Sequence, residues 1–184
     1  GRLGTIHAVN FTGQHPLSYG VRPMWYFEAG KHGGTINDIA IHGLDAIRYI
    51  TGAELVRTVA AREWNAFAAK PLDFRDCAQF MAEFDGGMGV TADVSYAAQT
   101  GTAFSMPSYW RFTFWGDEGA LEFQVGKGDT TFAAKGADAL ETLEAAPVHG
   151  GWLDDFLRPF DADAQRNTFA SQRTALRIEE AARG

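Results

Sequence analysis

At Gly52 the periodicity of this chain changes, and that change limits the folds open to it. Before it, Ile36, Ile39, Ala40, Gly43, Leu44, Ile47 and Ile50 recur at three- and four-residue steps, which is one apolar stripe along a helix. Thr35 followed by Asp38 predicts an N-terminal cap for that helix, and Gly52 predicts its C-terminal cap. After Gly52 come short runs at 55–67, 77–84, 90–97, 110–115, 121–125 and 131–134. Each is β-branched or aromatic and bounded by Gly, Asp, Lys or Pro. Turns at Asp85-Gly86-Gly87 and Gly116-Asp117-Glu118-Gly119 join neighbouring runs, so these strands read as an antiparallel meander. A first strand is expected at 3–12, ended by Gly13. The C-terminal residues return to helix, with Trp152, Phe156 and Leu157 in a short piece and Phe169, Arg173, Leu176 and Ala181 in another. The expected fold is α+β: one mostly antiparallel (mixed) open sheet with helices packed on one face.

Composition narrows the function classes. With 46% hydrophobic residues in 184, one domain can bury a core without disulfides or metal, and the single Cys77 forbids an internal disulfide. A net charge of -7 argues against nucleic acid as a partner. No apolar run approaches the roughly 20 residues of a membrane span, and the first residues lack a signal-peptide pattern. A cytoplasmic protein without a membrane partner is expected. The chain has no initiator Met and enters a strand almost at once, as a piece cut at a domain border would.

Several motifs compete for chemistry. Gly87-Met88-Gly89-Val90-Thr91-Ala92 fits the dinucleotide pattern G-x-G-x-x-[GA]. The alternation of Val90, Ala92, Val94 and Tyr96 with Thr91, Asp93 and Ser95 makes it the start of a strand, with no helix dipole to hold a phosphate. Cys77, in line with Phe80 and Phe84, reads as packing and not as a nucleophile. Trp64, Trp110, Trp115 and Trp152 read as core or interface residues. The twenty irregular residues after Gly13 carry Tyr19, Arg22, Trp25, Tyr26 and Phe27, and a loop so long in a compact domain points to binding. On the polar side of the helix, Asp38, His42, Asp45 and Tyr49 fall within about 60 degrees of one another. A carboxylate one turn before a histidine can fix its tautomer and raise its pKa. The same side can equally be a solvated face on which Asp38 serves as a cap. Asp38 and His42, with His32 or Asp45, could share a metal, but no H-E-x-x-H or Cys pair fixes a geometry, so no metal site is expected.

The segment Gly33-Gly34-Thr35-Ile36-Asn37-Asp38-Ile39-Ala40-Ile41-His42-Gly43-Leu44-Asp45 resembles the G-G-x-x-x-D-x-x-x-H-x-x-D segment of the Gfo/Idh/MocA oxidoreductases. That family includes glucose-fructose oxidoreductase and inositol dehydrogenase. The resemblance extends to the opening strand with Gly4, the Trp25 loop, the hairpin within 110–123, and the closing elements. Ala40 and Asn37 depart mildly from the family's usual Gly and apolar residue. The resemblance implies that residues 1–184 are the C-terminal substrate-binding and oligomerisation domain of an NAD(P)-dependent enzyme. The Rossmann domain and its E-K-P lysine would then lie outside this chain, which alone should be inactive. It implies hydride transfer between nicotinamide and a sugar, inositol or related polyol, with His42 exchanging a proton and Asp38 orienting it or holding a substrate hydroxyl. Asp45 matches the last acidic position, where a structural role on the helix is the first expectation. Asp45 and the loop residues Arg22, Trp25, Tyr26 and Lys31 are the candidates for substrate contact, and the open sheet face is the candidate for homo-oligomer formation. An NAD-dependent glycosidase and a non-catalytic binding or dimerisation module are the alternatives.

Overall fold

The computed structural model describes residues 1–68, 74–99, 110–126, 130–144, 157 and 162–184. Strand β1 (Ile6–Gln14) is followed by the long loop, which makes a single 3-10 turn at Met24–Phe27. A π-helical turn (Ile36–Ala40) then leads into α1 (Ile41–Thr51). Next come β2 (Leu55–Trp64), β3 (Cys77–Phe84), β4 (Met88–Ser95), β5 (Arg111–Gly116), β6 (Gly119–Gln124), β7 (Thr130–Ala134), β8 (Glu141–Leu143) and α2 (Ala162–Arg183). The strands form one sheet in the order β2-β3-β4-β1-β5-β6-β7-β8. Each neighbouring pair is antiparallel except β1 and β4, which run parallel. The sheet is therefore mixed and open, with the first strand at its centre.

Four expectations are corrected. The first strand starts later than 3–12 and passes through Gly13 to Gln14. The later strands are not a simple meander, because β1 is inserted between β4 and β5. The buried side of α2 is Ser171, Thr174, Ala175, Ile178 and Glu179, while Phe169 and Leu176 face outward, 60% and 42% exposed. The helix packs with polar residues inward because polar partners await them: Ser171 receives Arg48 Nη1 at 2.5 Å and donates to Asp45 Oδ1 at 2.5 Å. Thr35 does not cap the helix through its side chain; it donates instead to the Arg75 carbonyl. Strand β8 is too short to have been read from the pattern. The helical piece expected around Trp152 and Phe156 lies outside the described residues.

Strict alternation builds the core. Val9 and Phe11 of β1, Ala78, Phe80, Ala82 and Phe84 of β3, Val90 and Val94 of β4, and Phe112 and Phe114 of β5 all point to the helix side and are buried. On that side Ile36, Ile39, Leu44 and Ile47 meet them. At Gly43 the helix lies directly on the Phe11 ring, where a Cβ would collide with ring carbons. α1 stops at Gly52, whose φ of 70° lets its N–H reach the Arg48 carbonyl at 2.8 Å. The opposite face carries Asn10, Met81, Asp93, Arg111 and Trp115, all exposed, and among the described residues no helix covers it. The glycines at 86 and 87 turn the β3–β4 hairpin, so the G-x-G-x-x-A stretch does open a strand. Among the described residues no helix is long and apolar enough to cross a membrane.

Candidate functional site

The π-helical turn decides where Asp38 points. Ile41 N–H bonds the Ile36 carbonyl, five residues back, and this wider turn breaks the i, i+4 stacking that a regular helix would give Asp38 and His42. Their side chains share no hydrogen bond among those of the described residues. Asp38, half-buried, turns instead toward the long loop and the end of β4. There Tyr26 and Tyr96 both donate to its Oδ2. The two hydroxyls lie 2.7 Å apart, and His32 Nε2 is 2.7 Å from the Tyr96 hydroxyl and 3.7 Å from Asp38 Oδ2. Tyr96 has one proton and gives it to Asp38, so its oxygen accepts from His32, which therefore carries hydrogen on Nε2.

Each member is placed by local structure. Pro23 opens the 3-10 turn that buries Tyr26 and Phe27 in the core. Tyr96 follows β4 directly, its N–H held at 2.9 Å by the Asp76 carbonyl. The loop leaving β1 runs beside it, with His15 N–H on the Ser95 carbonyl at 2.8 Å. Gly34, at φ 107°, brings the chain so close to α2 that a Cβ there would fall on the Glu179 carboxylate.

The electrostatics follow from this packing. Burial opposes the charge on Asp38, but the approach of His32 and the hydrogen bonds from Tyr26 and Tyr96 outweigh it and hold the carboxyl well below the usual carboxylate range. Burial, and then Asp38 itself, push both tyrosine hydroxyls above their ordinary value. The cluster thus has an ionised carboxylate fed by two neutral tyrosine hydroxyls. Trp110 stands beside it: its indole N–H donates to His15 Nε2 at 3.0 Å, and its ring meets His42 edge-on at 6.0 Å. An indole only donates, so His15 Nε2 bears no hydrogen. Burial first, then Arg22 and His42, lower the His15 pKa against the opposing pull of Asp38.

The candidates drawn from sequence are distributed as follows. Arg22 lies over the Tyr26 ring at 4.7 Å and the Tyr96 ring at 5.5 Å, anchored by its Nε on the Leu17 carbonyl at 3.1 Å. Trp25 is 52% exposed and packs edge-on against Tyr26, 5.7 Å between ring centroids. His42 is exposed on the first turn of α1. Lys31 is exposed, and its backbone N–H reaches the Glu28 carbonyl at 3.1 Å. Asp45 faces α2 through Ser171. His32 had entered only as a metal ligand and Tyr96 only as a strand residue; both prove to be partners of Asp38. Cys77 is half-buried, and burial with Asp76 and Asp93 nearby pushes its thiol up to about 12. It is no nucleophile at neutral pH. Among the described residues no group of three metal-ligating side chains converges.

Comparison with known proteins follows the same lines. The model of the GFO/IDH/MocA C-terminal domain matches residues 1–122. A comparison with curated proteins gives no match. Among solved structures, a Thermotoga maritima protein superposes with a TM-score of 0.82 at 21% identity, over 99% of this chain and 54% of its own. Levoglucosan dehydrogenase in complex with NADH and levoglucosan gives 0.71 at 20% identity, over 99% and 58%. Aldose-aldose oxidoreductase from Caulobacter crescentus, complexed with glycerol, gives 0.73 at 20% identity, over 100% and 55%. The chain spans little more than half the length of these structures, and the likeness is one of fold.

Proposed function

The chain belongs to the GFO/IDH/MocA C-terminal domain family, and on that premise we propose that it is the substrate-facing half of an NAD(P)-dependent oxidoreductase acting on a sugar or related polyol. The observation that carries this reading is the cluster itself. An ionised, half-buried Asp38 is fed by Tyr26, Tyr96 and His32, with Arg22, His15 and His42 around it. Such a concentration of polar, titratable groups on an otherwise apolar layer suits a polyhydroxylated ligand. That neighbours of the same fold hold levoglucosan or glycerol supports the substrate class.

The described residues offer no phosphate loop, because the glycine pattern at 87–92 builds a hairpin and a strand. In this reading the dinucleotide is carried by a part of the protein outside this chain, and the nicotinamide supplies or accepts the hydride. The residues here bind, orient and move a proton. Both tyrosines use Asp38 Oδ2, which leaves Oδ1 to accept a hydrogen bond from a substrate hydroxyl. Asp38 stays charged throughout and orients the substrate. His42, exposed and one helical turn on, takes the hydroxyl proton during oxidation and returns it during reduction. Arg22 and Trp25 close the loop side. Homo-oligomer formation through the open sheet face belongs to the same reading.

The test uses the whole protein with NAD+ or NADP+ and a panel of sugars and inositols. His42→Ala and Asp38→Ala lower turnover by about 100-fold or more while the fold is retained. Wild-type turnover in both would overturn the proposal. One observation favours a second reading, a non-catalytic binding module: Asp38 and His42 are not hydrogen-bonded to each other. A ligand that binds with unchanged affinity to both variants, with no turnover in the parent, selects that module.

A further inference from the structure

Beneath the glycine pair that opens the π-helical turn, two buried carboxyl groups take the consecutive N–H groups of Ile36 and Asn37. The side chain of Glu63, on β2, is 0% exposed, and that of Glu179, on α2, is 3% exposed. Both hold the helical turn that carries Asp38. Glu63 Oε1 accepts the Ile36 N–H at 2.8 Å, and Glu179 Oε2 accepts the Asn37 N–H at 3.3 Å. Among the described residues, two arginines and one histidine lie beside them. Arg183, also on α2, donates to Glu179 Oε1 at 2.9 Å and to the Gly33 carbonyl at 3.0 Å. Arg75, just before β3, keeps its Nη1 3.7 Å from Glu63 Oε2, beyond hydrogen-bond reach. His32, from the loop, lines the same cleft of about 190 Å³ as Arg75, Arg183 and Glu63.

One atom in this arrangement lacks a hydrogen-bond partner among the described residues: Glu63 Oε2 is buried, with only the Arg75 guanidinium at 3.7 Å. A buried carboxylate oxygen in that state is costly, and two buried carboxylates side by side are costlier still. A proton resolves both problems. Placed on Glu63 Oε2, it turns an unpaired acceptor into a donor toward Glu179, and it leaves one negative charge for Arg183 and the helix N–H groups. We propose that Glu63 and Glu179 are a proton-sharing pair that positions the Asp38 turn, so that loss of the shared proton displaces Asp38. Glu63 and Glu179 are positioning residues, and the inference rests on the reading of Asp38 as a working residue of the site. Burial, and then Glu179, push the Glu63 carboxyl up to about 8, in agreement with the geometry.

The sign of the effect is fixed by that direction. A carboxyl whose folded-state pKa is raised contributes its full stability below its unfolded value, and that contribution is lost as pH rises through the folded value. The orphaned oxygen then becomes a second buried charge facing Glu179, and the hydrogen bonds to Ile36 and Asn37 are strained. Glu63→Gln keeps both functions of the protonated acid, since its amide oxygen accepts from Ile36 and its NH₂ donates to Glu179.

The test is a carboxyl ¹³C titration of the whole protein, with Glu63 assigned by its absence in Glu63→Gln. A Glu63 midpoint near 8, followed at the same midpoint by the Asp38 carboxyl and the Ile36 and Asn37 amides, is expected. A Glu63 midpoint near the ordinary 4.5 would overturn the pair. A raised midpoint that leaves the Asp38 signal still would overturn its positioning role. In thermal unfolding, the Tm of Glu63→Gln should match the parent's within about 2 °C at pH 4 and exceed it progressively as pH rises, by about 5 °C or more at pH 9. Equal slopes with pH count against the pair. In turnover, the parent loses kcat as pH rises past 8, and Glu63→Gln removes that limb; an unchanged limb counts against positioning. If Asp38→Ala retains wild-type turnover, the functional reading fails, while the titration still decides whether the proton is shared.

Discussion

Replacing Tyr96 by Phe removes one of the two hydroxyl protons that Asp38 accepts, and with it the acceptor of His32. Asp38 should then titrate closer to its ordinary value. In the functional reading, kcat falls by about 10-fold, roughly what one lost charge-assisted hydrogen bond of 1.4 kcal/mol implies. A carboxyl titration and steady-state kinetics on Tyr96→Phe check both. The same depression gives a pH prediction of opposite sign to that for Glu63. A carboxyl held below its unfolded value contributes stability above that value and loses it as pH falls. Denaturation midpoints at pH 7 and pH 3 should therefore drop further in the parent than in Asp38→Asn. At this scale the sequence was half legible. Asp38 and His42 stand in a recognisable spacing, and Arg22 and Tyr26 were found from their density on one loop. Tyr96 lies 58 residues beyond Asp38 in a run that alternates like any strand, and nothing local marks its hydroxyl.

Among the elements, the first helix was legible in its apolar stripe and its Gly52 stop but not in its start. Thr35 and Asp38 have the composition of a cap, yet both side chains are drawn to tertiary partners, and a π-helical turn satisfies the backbone instead. Helix α2 was misread for a related reason. Beside Ala175 and Ile178 its inward face carries Ser171, which takes Arg48, Glu179, which takes the Asn37 N–H, and Thr174, which bonds the Ala170 carbonyl, so polarity does not signal exposure. The contact between α1 and β1 yields a clean test. Gly43→Ala drives a methyl into the Phe11 ring and should destabilise the protein by about 1–3 kcal/mol, read from denaturant midpoints at unchanged m. A neutral result would mean that the helix can lift off the sheet without loss.

At the scale of the whole molecule, the helices and loop cover one face of the sheet, and among the described residues no helix covers the other. Trp115 on that open face is 51% exposed, with its indole N–H on Asn10 at 3.1 Å, and Met81 is 49% exposed. An aromatic pinned in place on a broad strand surface is the kind of anchor that subunit contacts use. If the proposed oligomer forms through this face, Trp115→Glu lowers the sedimentation mass of the whole protein to that of fewer subunits, with the fold intact by circular dichroism. An unchanged mass would count against a subunit contact through this face.

The central position of β1 has a further consequence, in time. The first strand made is also the one that joins the two halves of the sheet, and its Asn10 is bonded to Thr91 and Trp115, 81 and 105 residues downstream. Until β4 exists β1 has two bare edges and nothing to pair with, and until β5 exists one of its edges stays bare. Closure over such separations is entropically slow, so native β1 is expected to be a late acquisition in folding. Pulse-labelled hydrogen exchange should show the β2–β3–β4 hairpins protected before the amides of Val9 and Phe11. A chain stalled before residue 111 would hold a sheet with an open edge at its future centre, the state most exposed to pairing with a neighbour.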